Sequence, residues 1–127
     1  MSTINAMAAA INAMAAEAAI NAMAAEAARN AKEKGWDETP ATPGEDIALM
    51  HSELSEALED IRKGYELNEY YYEENGAKPC GVPSELADTV IRIGHFCAKH
   101  GIDLGAAINI KMSYNATRPY KHGGKKL

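Results

Sequence analysis

Thr42-Pro43-Gly44-Glu45-Asp46-Ile47-Ala48-Leu49-Met50-His51-Ser52-Glu53-Leu54-Ser55-Glu56-Ala57-Leu58-Glu59-Asp60-Ile61-Arg62-Lys63 decides the fold class of this chain. Threonine at the N-cap, proline at the first helical position and glutamate at the third make a capping box. Gly64 supplies the stop. Between these signals Ile47, Met50, Leu54, Ala57, Leu58 and Ile61 recur at steps of three and four, the apolar stripe of an amphipathic helix. Glu53, Glu56 and Asp60 form an acidic stripe beside it, with Glu59 further round.

Downstream, Val82-Pro83-Ser84 opens another helix that runs to about His100, where Gly101 stops it. Leu86, Val90, Ile93 and Cys97 face one way, and Ala87, Ile91 and Ala98 widen that surface, as expected of a central helix. Asp103 can cap a further helix through Lys111 and on to Asn115. Arg118-Pro119 marks the exit into a glycine- and lysine-rich tail. Residues 65–82 read as a connection, with room for a short helical piece; Glu73-Glu74-Asn75-Gly76 and Lys78-Pro79 carry turn chemistry.

Upstream lies an internal repeat: Ile4-Asn-Ala-Met7, Ile11-Asn-Ala-Met14 and Ile20-Asn-Ala-Met23, each followed by alanines. Such sequence is strongly helical, and the helix should end near Lys34-Gly35, with residues 36–43 as a loop. Ile4, Met7, Ile11 and Met14 form one stripe and Ile20, Met23 and Ala27 another. At about 100° per residue the two stripes lie roughly opposite, so one can face the domain while the other faces elsewhere. An exposed Ile/Met stripe would want a partner helix; a solvated alanine helix is the other reading. The expectation is an all-α, four-helix-type bundle with a long, Ala-rich first helix. Residues 1–19 form a repetitive extension and residues 20–127 the domain.

At 127 residues the chain supports one modest core. A net charge of −5 argues against nonspecific nucleic-acid binding, which needs a basic face. The negative charge concentrates between Glu45 and Glu74, whereas the end of the chain is basic. Cys80 and Cys97 form no CxxC motif and read as structural thiols of a reduced, cytoplasmic protein. The N-terminus lacks a basic n-region, and polar residues interrupt its apolar character, so it reads as neither a signal peptide nor a membrane span.

The chemistry lies in two carboxylate pairs, Glu53-Leu-Ser-Glu56 and Glu85-Leu-Ala-Asp88. A spacing of three puts both acids of a pair on one helical face. Four gathered carboxylates repel and lose hydration, and a divalent cation is the usual remedy; all-oxygen donors suit magnesium or manganese. The bland reading of the second pair is an i,i+4 ion pair between Asp88 and Arg92, which leaves Glu53 and Glu56 unexplained. A di-iron bundle would need Glu-x-x-His on two helices, and no histidine here follows a glutamate by three. Lys111, Asn115 and Arg118 share one helical face and offer donors for phosphate or sugar oxygens. Without a phosphate ligand they read as a basic helix end.

These motifs, with Lys34-Gly35-Trp36, Gly101-Ile102-Asp103-Leu104 and His122-Gly123-Gly124-Lys125, resemble the MazG-type nucleotide pyrophosphohydrolases, an all-α superfamily. The resemblance covers roughly residues 20–127. It implies hydrolysis of a nucleoside triphosphate to the monophosphate and pyrophosphate, with Mg2+ (or Mn2+) held by Glu53, Glu56, Glu85 and Asp88. One glutamate of the second helix, Glu53 or Glu56, would orient or deprotonate the attacking water. Lys111, Asn115 and Arg118 would clamp phosphate and sugar. Trp36 would stack on a base or wall the pocket, with a core or lid role as the alternative. The tail around His122 and Lys125 would close over the phosphates or remain an exposed tail. The resemblance further implies a homodimer or homotetramer and a role in cleaning the nucleotide pool. The competing function is a non-catalytic helical assembly module that binds metal structurally.

Overall fold

The computed structural model describes residues 2–124 and Lys126. Its elements are α1 (Thr3–Glu33), α2 (Pro43–Arg62), β1 (Tyr71–Glu73), β2 (Lys78–Cys80), α3 (Val82–Lys99), α4 (Leu104–Thr117) and a single turn, α5 (Lys121–Gly124). The protein is an all-α bundle. The Ser2 hydroxyl accepts from the Asn5 amide to start α1, and Lys34 closes it ahead of Gly35 at φ 81°. The capping box of α2 is complete, with Thr42 and Glu45 each bonded to the other's backbone. Asp103 caps α4 through the Ala106 amide.

Residues 71–80 depart from the sequence expectation, for they form a small antiparallel hairpin pairing Tyr71 with Cys80 and Glu73 with Lys78. Its turn places Glu74, Asn75 and Gly76 at positive φ. Tertiary contacts hold it. The Tyr71 hydroxyl donates to Asp60 at 2.8 Å, and the Tyr71 ring stacks on Tyr65 with centroids 4.4 Å apart. Gly81, at φ 115°, lets the chain turn from β2 into α3, where a Cβ would collide with the Glu69 carbonyl.

The principal packing runs α4 on α1, α1 on α3 and α3 on α2, so the helices lie in a row. Small residues set the first two contacts. Gly94 of α3 faces Ala24 and Met23 of α1, and Gly105 of α4 lies against the Glu17 backbone. The Gly105 amide donates to Asn21 Oδ1, and Asn109 Nδ2 donates to the Ala13 carbonyl and to Glu17. Helix α4 therefore returns antiparallel along the first half of α1. Ala13 and Glu17 of the repetitive extension supply part of its seat, and the extension continues without a break into the rest of α1. Ile20, Met23 and Ala27 are half-buried, whereas Ile4, Met7, Ile11 and Met14 are exposed. By length and composition alone α1 could cross a membrane; in this fold its Glu17 and Asn21 side chains bond to α4.

Candidate metal centre and adjoining cleft

Helices α2 and α3 meet through polar groups. Glu53 on α2 is 8% exposed and accepts a hydrogen bond from Arg92 Nε at 2.7 Å. One turn on, Glu56 approaches Glu85, which stands in the first turn of α3. Glu53, Glu56 and Glu85 each offer a carboxylate oxygen, and these oxygens lie within 4.8 Å of one another. Burial foremost, then hydrogen bonding to Glu53 and Glu56 and repulsion by them, pushes the Glu85 carboxyl up to about 8. Glu85 is therefore unsettled as an anion beside its two neighbours, and a cation would relieve it.

Asp88 lies outside this set of three. It is exposed on α3 and lines a cleft on the other side of Glu53. Desolvation and the charge of Glu53 raise its carboxyl, with Arg92 opposing. The Arg92 side chain turns across to α2 and pairs with Glu53, so the bland alternative, an i,i+4 ion pair with Asp88, is not formed. Glu53 is the more buried acid and gains more from a cation.

Two hollows flank the acids. One, of about 210 Å³, lies under the hairpin and is lined by Glu56, Asp60, Glu85, Lys63 and Lys78. The other is a cleft of about 670 Å³ between α1, α2 and α3. Ala27, Ala31, Leu49 and Ile91 give it apolar walls, and Glu53, Asp88 and Arg92 line it as well. Trp36 is another lining residue and is 74% exposed. His95 bonded to Asp37 and Lys99 bonded to Asp46 tie the loop and the start of α2 to α3.

Lys111, Asn115 and Arg118 stand elsewhere. Lys111 and Arg118 both approach the Tyr114 ring, at 5.2 and 5.9 Å from its centroid. Asn109 bonds to Ala13, while the cleft beside Glu53 begins at Ala27 of the same helix. At about 1.5 Å per residue this separates the basic face from the acids by roughly 20 Å or more within one chain. Lys125 lies outside the described residues. Sequence reading missed Asp60 as a buried anchor and Lys63 and Lys78 as cations lining the hollow beside Glu56 and Glu85. The continuation of the acidic stripe to Asp60 was the available signal. Cys80 and Cys97 are buried free thiols whose pKa burial raises, as suits unreactive packing residues.

No protein-family model, curated protein or solved structure matches this chain.

Proposed function

We propose that this chain hydrolyses nucleoside triphosphates to the monophosphate and pyrophosphate in the presence of Mg2+ (or Mn2+), by attack of water on the α-phosphorus. The convergence of Glu53, Glu56 and Glu85 from two facing helices carries the reading. Its donor set is hard oxygen throughout, and Glu85 already resists ionising beside its neighbours; both suit a small divalent cation. When bound, such an ion neutralises phosphate charge and acidifies a water. Asp88, on the cleft side of Glu53, is placed to meet a further ion or its waters.

The residues divide the remaining work. Glu53, pinned by Arg92, fixes the site against α3. Glu56, the exposed member of the three, would orient or deprotonate the attacking water. The apolar walls of the cleft, with Trp36 beside them, offer a surface on which a base can lie. Lys63 and Lys78 line the hollow under the hairpin and are the cations placed to meet phosphate oxygens. The ordered motifs that resemble the MazG-type enzymes support the same reading.

The test is pyrophosphate release from a panel of ribo- and deoxyribonucleoside triphosphates, with and without Mg2+, beside the Glu56→Ala variant. Metal-dependent release that this change abolishes is expected. Well-folded protein that releases nothing under any condition sinks the proposal and leaves a metal-binding assembly module.

A further inference from the structure

Charge is divided along the molecule. All 18 acidic residues fall between Glu17 and Asp103. Residues 104–127 carry five basic side chains and no acid, and residues 2–16 carry no charged side chain at all. The fold brings these two acid-free segments together. Asn109 bonds to Ala13, and from there α4 runs toward the start of α1. At equal rise per residue Arg118, at the end of α4, draws level with Ile4. One end of the molecule is therefore basic and the remainder acidic.

The same end is apolar. Ile4, Met7, Ile11 and Met14 of α1 are each more than half exposed, as are Ile110 and Tyr114 of α4. Ala13 and Glu17 mark the side of α1 that faces α4. At about 100° per residue the Ile/Met stripe points roughly a third of a turn away from that side. Gly105 and Asn109 mark the side of α4 that faces α1, and Ile110 points roughly a third of a turn away in the same sense. Rotations of one sense on antiparallel neighbours fall on the same side of the pair, so Ile110 extends the α1 stripe. Tyr114 stands at its border, with Lys111 and Arg118 over the ring. Beyond it Tyr120 is 87% exposed, with Lys121 over its ring.

We propose that this end of the molecule lies on an anionic bilayer surface, with Ile4, Met7, Ile11 and Ile110 entering the acyl boundary and Lys111, Arg118 and Lys121 meeting lipid phosphates. An apolar helical face flanked by basic side chains is held in the interface twice over, by buried apolar area and by attraction to anionic headgroups. Tyrosine rings suit the headgroup level between the two. A nucleic acid would satisfy the charges and leave the Ile/Met stripe in water, so the stripe selects lipid. The contact is interfacial. Glu17 and Asn21 stay bonded to α4, and α1 lies on the bilayer instead of crossing it. The acid cluster and its cleft, roughly 20 Å further along α1, remain in solvent, and surface binding is read independently of turnover.

Co-sedimentation of the full chain with sucrose-loaded vesicles tests the proposal. Binding is expected to phosphatidylcholine vesicles that carry about one-third phosphatidylserine, and should be roughly tenfold weaker or less on phosphatidylcholine alone. Added salt should weaken it. Lys111→Glu combined with Lys121→Glu should lower the affinity roughly 20-fold or more. Met7→Glu combined with Ile11→Glu should do the same, while Arg62→Glu and Leu58→Glu on α2 leave binding unchanged. Should the Met7 and Ile11 changes cost helical circular dichroism, Met7→Trp in a Trp36→Phe background decides. Its emission should move to the blue on the anionic vesicles and be quenched by brominated acyl chains, whereas native Trp36 does neither. A wild-type chain that stays in the supernatant, binding indifferent to the Met7 and Ile11 changes, tighter binding to duplex DNA than to vesicles, or an unshifted Met7→Trp emission overturns the proposal.

Discussion

Arg92 Nε lies 2.7 Å from Glu53 Oε1 and binds α3 to α2 beside the acid cluster. The arginine is part-exposed and the glutamate nearly buried, so Glu53 loses more when the pair breaks. Arg92→Met should cost about 1–2 kcal/mol, below the range for fully buried pairs because solvent reaches the guanidinium. Urea denaturation in EDTA measures it. Saturating Mg2+ should shrink the difference, since a cation at the cluster takes over the charge balance of Glu53. An equal loss with and without Mg2+ would separate Arg92 from the metal centre.

Glu85 predicts a pH dependence of unusual sign. Its carboxyl rises from 4.5 in the unfolded chain to about 8 in the fold, so the folded state binds the proton more tightly. The stability this confers is complete below 4.5 and is lost as pH rises through about 8. Thermal melts in EDTA should therefore fall across that window, and Glu85→Gln should flatten the slope. Because a metal competes with the same proton, adding Mg2+ near pH 7 to a weakly buffered solution should release acid. A pH-stat reads this directly.

The Tyr71 hydroxyl is the partner of buried Asp60, and that bond pushes the phenol pKa upward, ahead of desolvation. Tyr71→Phe leaves a buried carboxylate one donor short, at a cost of about 1–3 kcal/mol. Tyr72→Phe, at an exposed position, should fall within about 0.5 kcal/mol of wild type. Chemical denaturation of the pair tests whether the hairpin is held through Asp60.

A Cβ at Gly105 would stand 2.7 Å from the Glu17 Cα and carbonyl oxygen. Gly105→Ala must push α4 off α1, and about 1–3 kcal/mol of destabilisation is expected. Gly44→Ala, with nothing within 4 Å of the new methyl, should be neutral or slightly stabilising. Calorimetric melting temperatures of the two variants check the contrast.

Trp36 is the chain's single tryptophan and lines the cleft. A nucleotide that enters should shift or quench its emission in the presence of Mg2+, and Ile91→Glu, a charge set in the apolar wall, should abolish that response. Emission unchanged at millimolar nucleotide would remove the cleft from the proposed site.

Legibility in the sequence followed the range of the forces involved. Thr42 with Glu45, Gly35 and Asp103 act within a turn of chain, and the helix ends they specify were readable. The convergence of Glu53 and Glu56 with Glu85 was readable as a face-to-face possibility because each pair repeats at helical spacing. The hairpin was hidden, for its strands are three residues long, one contains Pro79, and Asp60 that anchors it lies eleven positions before Tyr71. Arg92 had two acids within reach, and only the burial of Glu53 decided between them. That Lys111 and Arg118 lie far from the acids depends on the antiparallel return of α4 along α1, which no local pattern encodes.

The same return fixes the order in which the molecule can assemble. The Asn109–Ala13 bond spans 96 residues, so synthesis delivers α1 long before the helix that rests upon it. Contacts of such separation are slow to form. An alanine-rich helix of 31 residues is one of the few able to keep its helical shape alone in water. The repeat thus gives the growing chain a ready-made rail that can wait, still straight, for its last passenger.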